Sequence, residues 1–402
     1  RVSEEGFMKD IEWIDNLKIR GSWGQLGNIN NVGDYDYFSS YIQGDNYNFN
    51  DVVGNGIIEA KPANKTLGWE TVTITDIGLD FDVLNGKLRF TADWYNKVTD
   101  DILLGYRVPM EVGIKKDYWP SQNIGSVSNK GLEIGITHNN TIGEFTYSVG
   151  ANFTRNWNKV TNLGGVDDLY DGSSTWIEAV GQPIGTFYGF RTNGLLTQED
   201  IDSGNYITDG IKPNAGDIKY VDVSGDGVVN SNDMTYLGNG NIPEIIYGIN
   251  GALNWKNLDF SFLFQGAARV QVYLQGGVIQ PYFNQGNLPQ FWVNESWTEQ
   301  NINAKYPRLT NSIHNNPTTD ISGVQTYLYD ASYLRLKNIE IGYTFPSKWL
   351  KSAAINGLRV YVNAQNLFTI SDVPQIDPEN TQQQGWTYPQ MKAFNVGLTL
   401  QF

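Results

Sequence analysis

The sequence predicts an all-β fold, an antiparallel transmembrane β-barrel wall, and three observations point there. Period-two alternation of apolar and polar residues recurs along the chain, while helical periodicity is scarce. The connections between the alternating segments are short and long by turns. No stretch approaches the roughly 18 apolar residues of a membrane helix, whereas a barrel strand needs only about ten alternating ones.

Strands are expected near 17–25, 69–82, 87–98, 130–139, 144–157, 245–255, 257–268, 328–345, 357–369 and 392–402. In the third, Leu88, Phe90, Ala92 and Trp94 alternate with Arg89, Thr91, Asp93 and Tyr95. In the fifth, Phe145, Tyr147, Val149, Ala151 and Phe153 alternate with Thr146, Ser148, Gly150 and Asn152. Leu258, Phe260, Phe262 and Phe264 mark the seventh, and Leu358, Val360, Val362 and Ala364 the ninth. The last is the clearest: Phe394, Val396, Leu398, Leu400 and Phe402 are apolar, with polar or small residues between them. Such strands present one apolar and one polar face.

Asn85-Gly86 suits a type I′ hairpin turn. Residues 139–144, 255–257 and 346–356 form the other short turns, while 26–68, 99–129, 158–244, 269–327 and 370–391 are long. In an antiparallel meander every second connection lies at the same end, so one end carries tight turns and the other carries long loops. Outer-membrane barrels have that asymmetry, with short periplasmic turns and long extracellular loops. By parity the chain would end in the periplasm and residues 158–244 would lie outside the cell. A soluble β-sandwich also alternates, but its strands average about five or six residues, and these are longer and richer in aromatics.

The 402 residues carry 28 Lys+Arg against 43 Asp+Glu, a formal charge of −15, which excludes a nucleic-acid partner because phosphate neutralisation needs a basic surface. With no Cys and two His, disulfide scaffolds, thiolate zinc sites and Cys nucleophiles are excluded. The first residues lack the apolar core and cleavage site of a signal peptide. Arg1 therefore reads as an interior position of a longer polypeptide, with a processed start as the alternative.

Residues 222–233 match an EF-hand-type calcium loop. Asp222, Ser224 and Asp226 take positions 1, 3 and 5, Gly227 the sharp turn, Val228 the backbone carbonyl, and Asn230 and Asp233 positions 9 and 12. The reading is a structural Ca2+ clip, or Mg2+, in a long external loop; the alternative is a metal-free Asp/Gly turn. No catalytic constellation appears, and the chain reads as a non-enzyme. His138 and His314 read as solvated residues without a fixed partner, and Asp100-Asp101 and Asp167-Asp168 as solvated acids. Tyr118, Trp119, Trp176, Tyr282, Phe283, Trp292 and Trp386 stand out among the loop aromatics as candidate substrate contacts. Their alternative role is packing the loops together.

Several motifs resemble the SusC/RagA family of TonB-dependent transporters: 17–28, Leu67-Gly-Trp-Glu-Thr71 with Asp76-Ile-Gly-Leu-Asp80, and 123–133. Gly216-Asp-Ile-Lys-Tyr-Val-Asp222, 333–343 and 359–368 follow in family order. Asn395, Gly397, Leu400 and Phe402 are similar to the C-terminal signal that barrel-assembly machinery reads. The resemblance implies an outer-membrane barrel of about 22 strands, of which residues 1–402 would be the C-terminal portion of about ten strands. A complete ten-stranded barrel is the runner-up. It also implies a plug and a TonB box upstream, energisation by TonB–ExbBD, and a SusD-like surface lipoprotein as lid. The implied function is import of a nutrient oligomer, a glycan first and a peptide second. An adhesion or structural barrel or a passive pore is a different class, and a secreted glycan-active enzyme a third.

Overall fold

The computed structural model describes the chain except residues 9, 31, 34–36, 45, 107, 109–110, 112–118, 171–174, 209–211, 311–324, 351–354 and 381–384, and the side chains of 60–61. Ten strands form one sheet: β1 (Ile14–Asn28), β2 (Glu70–Val83), β3 (Leu88–Gly105), β4 (Ser121–Ile142), β5 (Phe145–Leu163), β6 (Ile245–Trp255), β7 (Leu258–Ala268), β8 (Tyr333–Thr344), β9 (Gly357–Ser371) and β10 (Ala393–Gln401). Each pairs antiparallel with the next in chain order. All ten expected strands are present in the expected order. No ladder joins β1 to β10 among the described residues. A complete ten-stranded barrel requires that closure, so the sheet is an open wall.

Register puts the alternating apolar residues on one face. Phe81 lies opposite Phe90, Leu79 opposite Ala92 and Ile77 opposite Trp94. Ile134 faces Phe153, Leu253 faces Phe260, and Val360 and Val362 face Leu398 and Val396. Trp23, Ile77, Ile249, Ile341, Val396 and Leu398 on this face are exposed. A continuous apolar surface of this kind in water would be an aggregation or interaction surface; a barrel presents it to lipid. Trp13, Trp255 and Trp349 sit near the short-turn margin and Trp157 toward the long-loop end, all exposed, as in the aromatic girdles of membrane barrels.

The tight turns differ in detail. Val83–Leu88 closes a four-residue loop rather than a two-residue hairpin. Leu84 joins Asn85 and Gly86 in the left-handed region, and the Gly86 N–H donates to Asp15 Oδ2 at 2.8 Å. Ile142–Phe145 and Trp255–Leu258 close over two residues each.

Four strands run past their expected ends. β1, β3, β4 and β5 have 15, 18, 22 and 19 residues. Beyond the apolar band neither face has to be apolar, so alternation lapses while the backbone ladder continues. The expected strand 328–345 divides: Leu328–Asp330 leaves the wall to pair with Gln271–Tyr273.

The main buried core lies in the long loops rather than in the wall. Phe187 and Ile218 from the 164–244 connection pack with Val272, Tyr273, Leu274, Ile279, Trp292, Tyr306 and Tyr327 from 269–332. Short ladders scaffold it, Thr186–Phe190 against Met234–Tyr236 and Thr192–Leu195 against Ile218–Tyr220. The helix Gln198–Ser203 is held by a capping box between Thr197 and Asp200.

Candidate functional site: the polar wall face and the loop cap

The face opposite the apolar one carries charge, and three arginines organise it. Arg20 on β1 reaches Asp80 on β2 at 2.9 Å and Asp93 on β3 at 2.7 Å. Arg359 on β9 bonds Asp259 on β7 and Glu340 on β8, the latter at 2.6 Å. Each guanidinium spans three strands and passes over a glycine: a Cβ on Gly78 would lie 2.6 Å from Arg20 Cζ, and one on Gly342 2.5 Å from Arg359 Nη2. A larger residue at either position would displace the arginine. Charge-assisted forks of this kind suit a wetted interior, where carboxylates stay ionised.

The third, Arg335 on β8, is 1% exposed. It donates to Asp377 at 2.5 Å, to Glu379 at 3.0 Å and to Thr369 Oγ1 at 2.9 Å. The Tyr333 hydroxyl donates to Glu379 at 2.7 Å, and Lys337 Nζ lies 3.4 Å from it. This pins the 372–380 segment against the long-loop end of the wall. The motif around Tyr333 is visible in the sequence, but its acids lie more than forty residues on and carry no signal of their own.

The described loop aromatics differ in burial. Trp292 is 2% exposed, stacked on Tyr306 at 5.0 Å, with Nε1 donating to the Ile279 carbonyl at 2.7 Å. It is a core residue, because that burial leaves no face for a ligand. Trp176, Tyr282 and Trp386 are exposed, and Trp119 and Phe283 are half-buried. Tyr118 and His314 lie outside the described residues. The chain neighbours of Trp386, Gly385 and Thr387, line a cavity of about 480 Å³ with Val278, Ile376, Asn380 and Tyr388. His138 is not a loop residue: it sits in β4 on the apolar face opposite Val149, its ring 5.4 Å from Tyr147. Asp100 lies in β3 and accepts from the Ser126 hydroxyl at 2.7 Å.

The 222–233 loop folds on its own backbone. Asp222 accepts from the Gly225 and Gly227 N–H groups at 2.6 and 2.8 Å and from the Ser224 hydroxyl at 3.2 Å. Asp226 accepts from Val228 N–H at 2.8 Å. Asp233 is fully buried and accepts from the N–H groups of Val223, Ser224 and Asn230 at 2.8–2.9 Å. Burial alone would raise the Asp233 carboxyl, but these hydrogen bonds outweigh it and hold it below the usual Asp range. The Asn230 amide donates to the Val228 carbonyl at 3.2 Å. The ligand types thus gather in one turn as acceptors and partners of its own groups. Among the described residues no cluster of three His, Cys, Asp or Glu side chains is placed to hold a metal.

At the chain's last strand, Asn395 donates to Asn363 at 2.9 Å. Tyr361 lies over Gly397, where a Cβ would meet its ring at 2.3 Å. Leu400 is opposite Leu358, and Phe402 is exposed.

No family model matches the chain. Among curated proteins it is 31% identical over its whole length to the TonB-dependent receptor P26 of Formosa agariphila, covering 41% of that protein. It is 30% identical, again over its whole length, to the TonB-dependent receptor SusC of Bacteroides thetaiotaomicron, covering 39% of it. The chain belongs to the SusC/RagA family of TonB-dependent receptors. Among solved structures, the RagAB peptide importer in its open-open state superposes with a TM-score of 0.75 at 23% identity. That match covers 99% of this chain and 41% of the importer chain, and it is a likeness of fold. The SusC-like chain therefore spans about two-fifths of the length of the curated relatives it matches. Proteins of this family are outer-membrane β-barrels, which accounts for an open sheet that is apolar on one face and charged on the other.

Proposed function

We propose that this chain is wall and loop cap of a barrel that imports a nutrient oligomer across the outer membrane, energised by TonB–ExbBD. The observation that carries the reading is the sheet itself. An apolar band on one face suits lipid, and the opposite face, crossed by Arg20 and Arg359 and lined with Asn, Asp, Glu and Tyr, suits a wet passage. Such a wall binds through hydrogen bonds and does no covalent chemistry. In this reading the long loops are extracellular and the short turns periplasmic, and a SusD-like lipoprotein covers the loop end. A plug and TonB box would belong to the upstream part of the polypeptide.

The cargo is a glycan in the first reading, supported by exposed Trp176, Tyr282 and Trp386, whose rings suit sugar faces. A peptide is the second reading, favoured by the fold likeness to a peptide importer. Growth of a deletion strain on a panel of glycans and peptides tests both. Failure on one class names the cargo, and normal growth on every one removes the import reading.

The same proposal keeps Ca2+, or Mg2+, as a structural clip at Asp222, Ser224, Asp226, Val228, Asn230 and Asp233. The register of ligand types supports it, and the hydrogen bonds that already satisfy Asp233 oppose it. Calorimetry decides: no heat of calcium binding leaves a metal-free turn. Asn395, Gly397, Leu400 and Phe402 are proposed as the assembly signal.

A further inference from the structure

We propose that the lipid-facing side of β4 and β5, at the long-loop margin, binds a phosphate-bearing lipid headgroup of the surrounding leaflet. The proposal rests on the membrane reading of the apolar face and goes beyond the import function.

Register places Arg155 on the apolar face, opposite Leu132 and Ile245, and Trp157 two residues farther toward the loops, opposite Lys130. Lys159 follows on the same face. The chain as a whole carries −15, yet this margin gathers cations. Arg155 lies 4.7 Å over the Trp157 ring and 2.7 Å from Glu244, and Arg269 bonds the same Glu244. One carboxylate serves two guanidiniums, so the triad keeps a unit positive charge, to which Lys130 and Lys159 add two. Asp100, an acid on the same face, accepts from Ser126.

Charge of this sign just above the apolar band has a physical demand. Uncompensated cations beside hydrocarbon are costly, while Lys and Arg stems lie along apolar surface and hold their heads at the interface. An anionic headgroup satisfies them at about 1 kcal/mol per cation near the surface. Trp157 and Ile242 are exposed beside the triad. A cavity of about 280 Å³ lies at this margin between Arg155, Trp157, Ile242 and Arg269, reaching round the wall's edge to Asn156 and Asn158 of the opposite face, and is large enough for a phosphate with its attached sugar or glycerol.

The test uses the full-length protein in vesicles of phosphatidylcholine with and without brominated phosphatidylglycerol, reading tryptophan quenching and lipid retention by native mass spectrometry. The expected result is preferential retention of the anionic lipid. Lys130→Gln should weaken retention about fivefold, as removal of one interfacial cation predicts. Glu244→Gln should strengthen it, because the triad gains a charge; a purely structural ion triad would loosen instead. Equal retention of neutral and anionic lipid overturns the proposal, as does an anionic preference that Lys130→Gln, Lys159→Gln and Glu244→Gln all leave unchanged. Displacement of the lipid by inorganic phosphate alone would mark a free-anion site and overturn the lipid assignment. Lipid retention is read without transport, so a failed import reading leaves this result interpretable.

Discussion

Trp292→Ala separates a cap that folds on its own core from loops that merely decorate the wall. Trp292 is 2% exposed, stacks on Tyr306 and donates to the Ile279 carbonyl at 2.7 Å. Truncating such a residue costs about 3–5 kcal/mol, and the figure should sit toward its upper end. The stacked pair contributes about 0.5–1.5 kcal/mol beyond area burial, and the Ile279 carbonyl loses its donor. Stability is not uniform across a structure, and the cap meets the wall at the loop ends of its strands, as where the Val160 N–H donates to the Gln182 carbonyl. The loss should therefore appear in the cap as a fall of about three to four powers of ten in amide protection. It should be seen at Val272, Tyr273 and Tyr329, which share a ladder, and at Phe187. The assay is hydrogen exchange by mass spectrometry on the reconstituted protein, with exposed Trp386→Ala as the control that changes nothing. Equal loss of protection in β6 and β7 would refute the reasoning, because cap and wall would then be one cooperative unit. Unchanged protection would refute it from the other side.

Arg335→Met should release the 372–380 segment, because half-buried Asp377 would be left without its cation and Glu379 with Lys337 alone; breaking such a pair costs about 3–5 kcal/mol. Exchange should rise there and stay unchanged in β1–β4, and adding Asp377→Asn with Glu379→Gln should recover most of the loss. Gly240→Ala should destabilise the 183–185 contact by about 1–3 kcal/mol. Its Cβ would meet the Gly185 carbonyl oxygen at 2.7 Å, and limited proteolysis of the cap would report it. The cap should also loosen in acid. Asp200, held low mainly by the Lys219 hydrogen bond, and Asp233, held low by backbone N–H groups, both have depressed folded values. Their stabilisation is full above the unfolded Asp value of about 3.9 and is lost as pH falls through the lower folded values. Protease sensitivity measured from neutral pH downward should stay flat until about pH 4 and then rise. Phe402→Ser should lower the amount assembled in the outer membrane without changing the unfolding midpoint of what assembles, since Phe402 touches little of the folded chain.

The ten wall strands were legible in the sequence because lipid on one face and water on the other write a period of two into every strand that crosses. Leu88 to Trp94 and Phe394 to Phe402 carry that period without interruption. The parity of short and long connections followed from the same pattern. Where lipid ends the constraint ends, and so the extensions of β1, β3, β4 and β5 were not visible. The Arg20 and Arg359 clamps left a partial trace, an arginine with glycine in an adjoining strand, but not the identity of their acids.

The loop cap belonged to the tertiary structure alone. Phe187, Ile218, Tyr273, Trp292 and Tyr327 meet across more than a hundred residues with no periodicity to announce it, and only packing turned Trp292 from a ligand candidate into a core residue. The calcium-like spacing was plain in the sequence, but the direction in which Asp222 and Asp233 point was decided by which N–H groups the fold left unpaired. A repeating environment such as the bilayer acts on each strand locally and leaves its mark in order along the chain. A core built from distant segments constrains only their sum, and that mark is read in three dimensions.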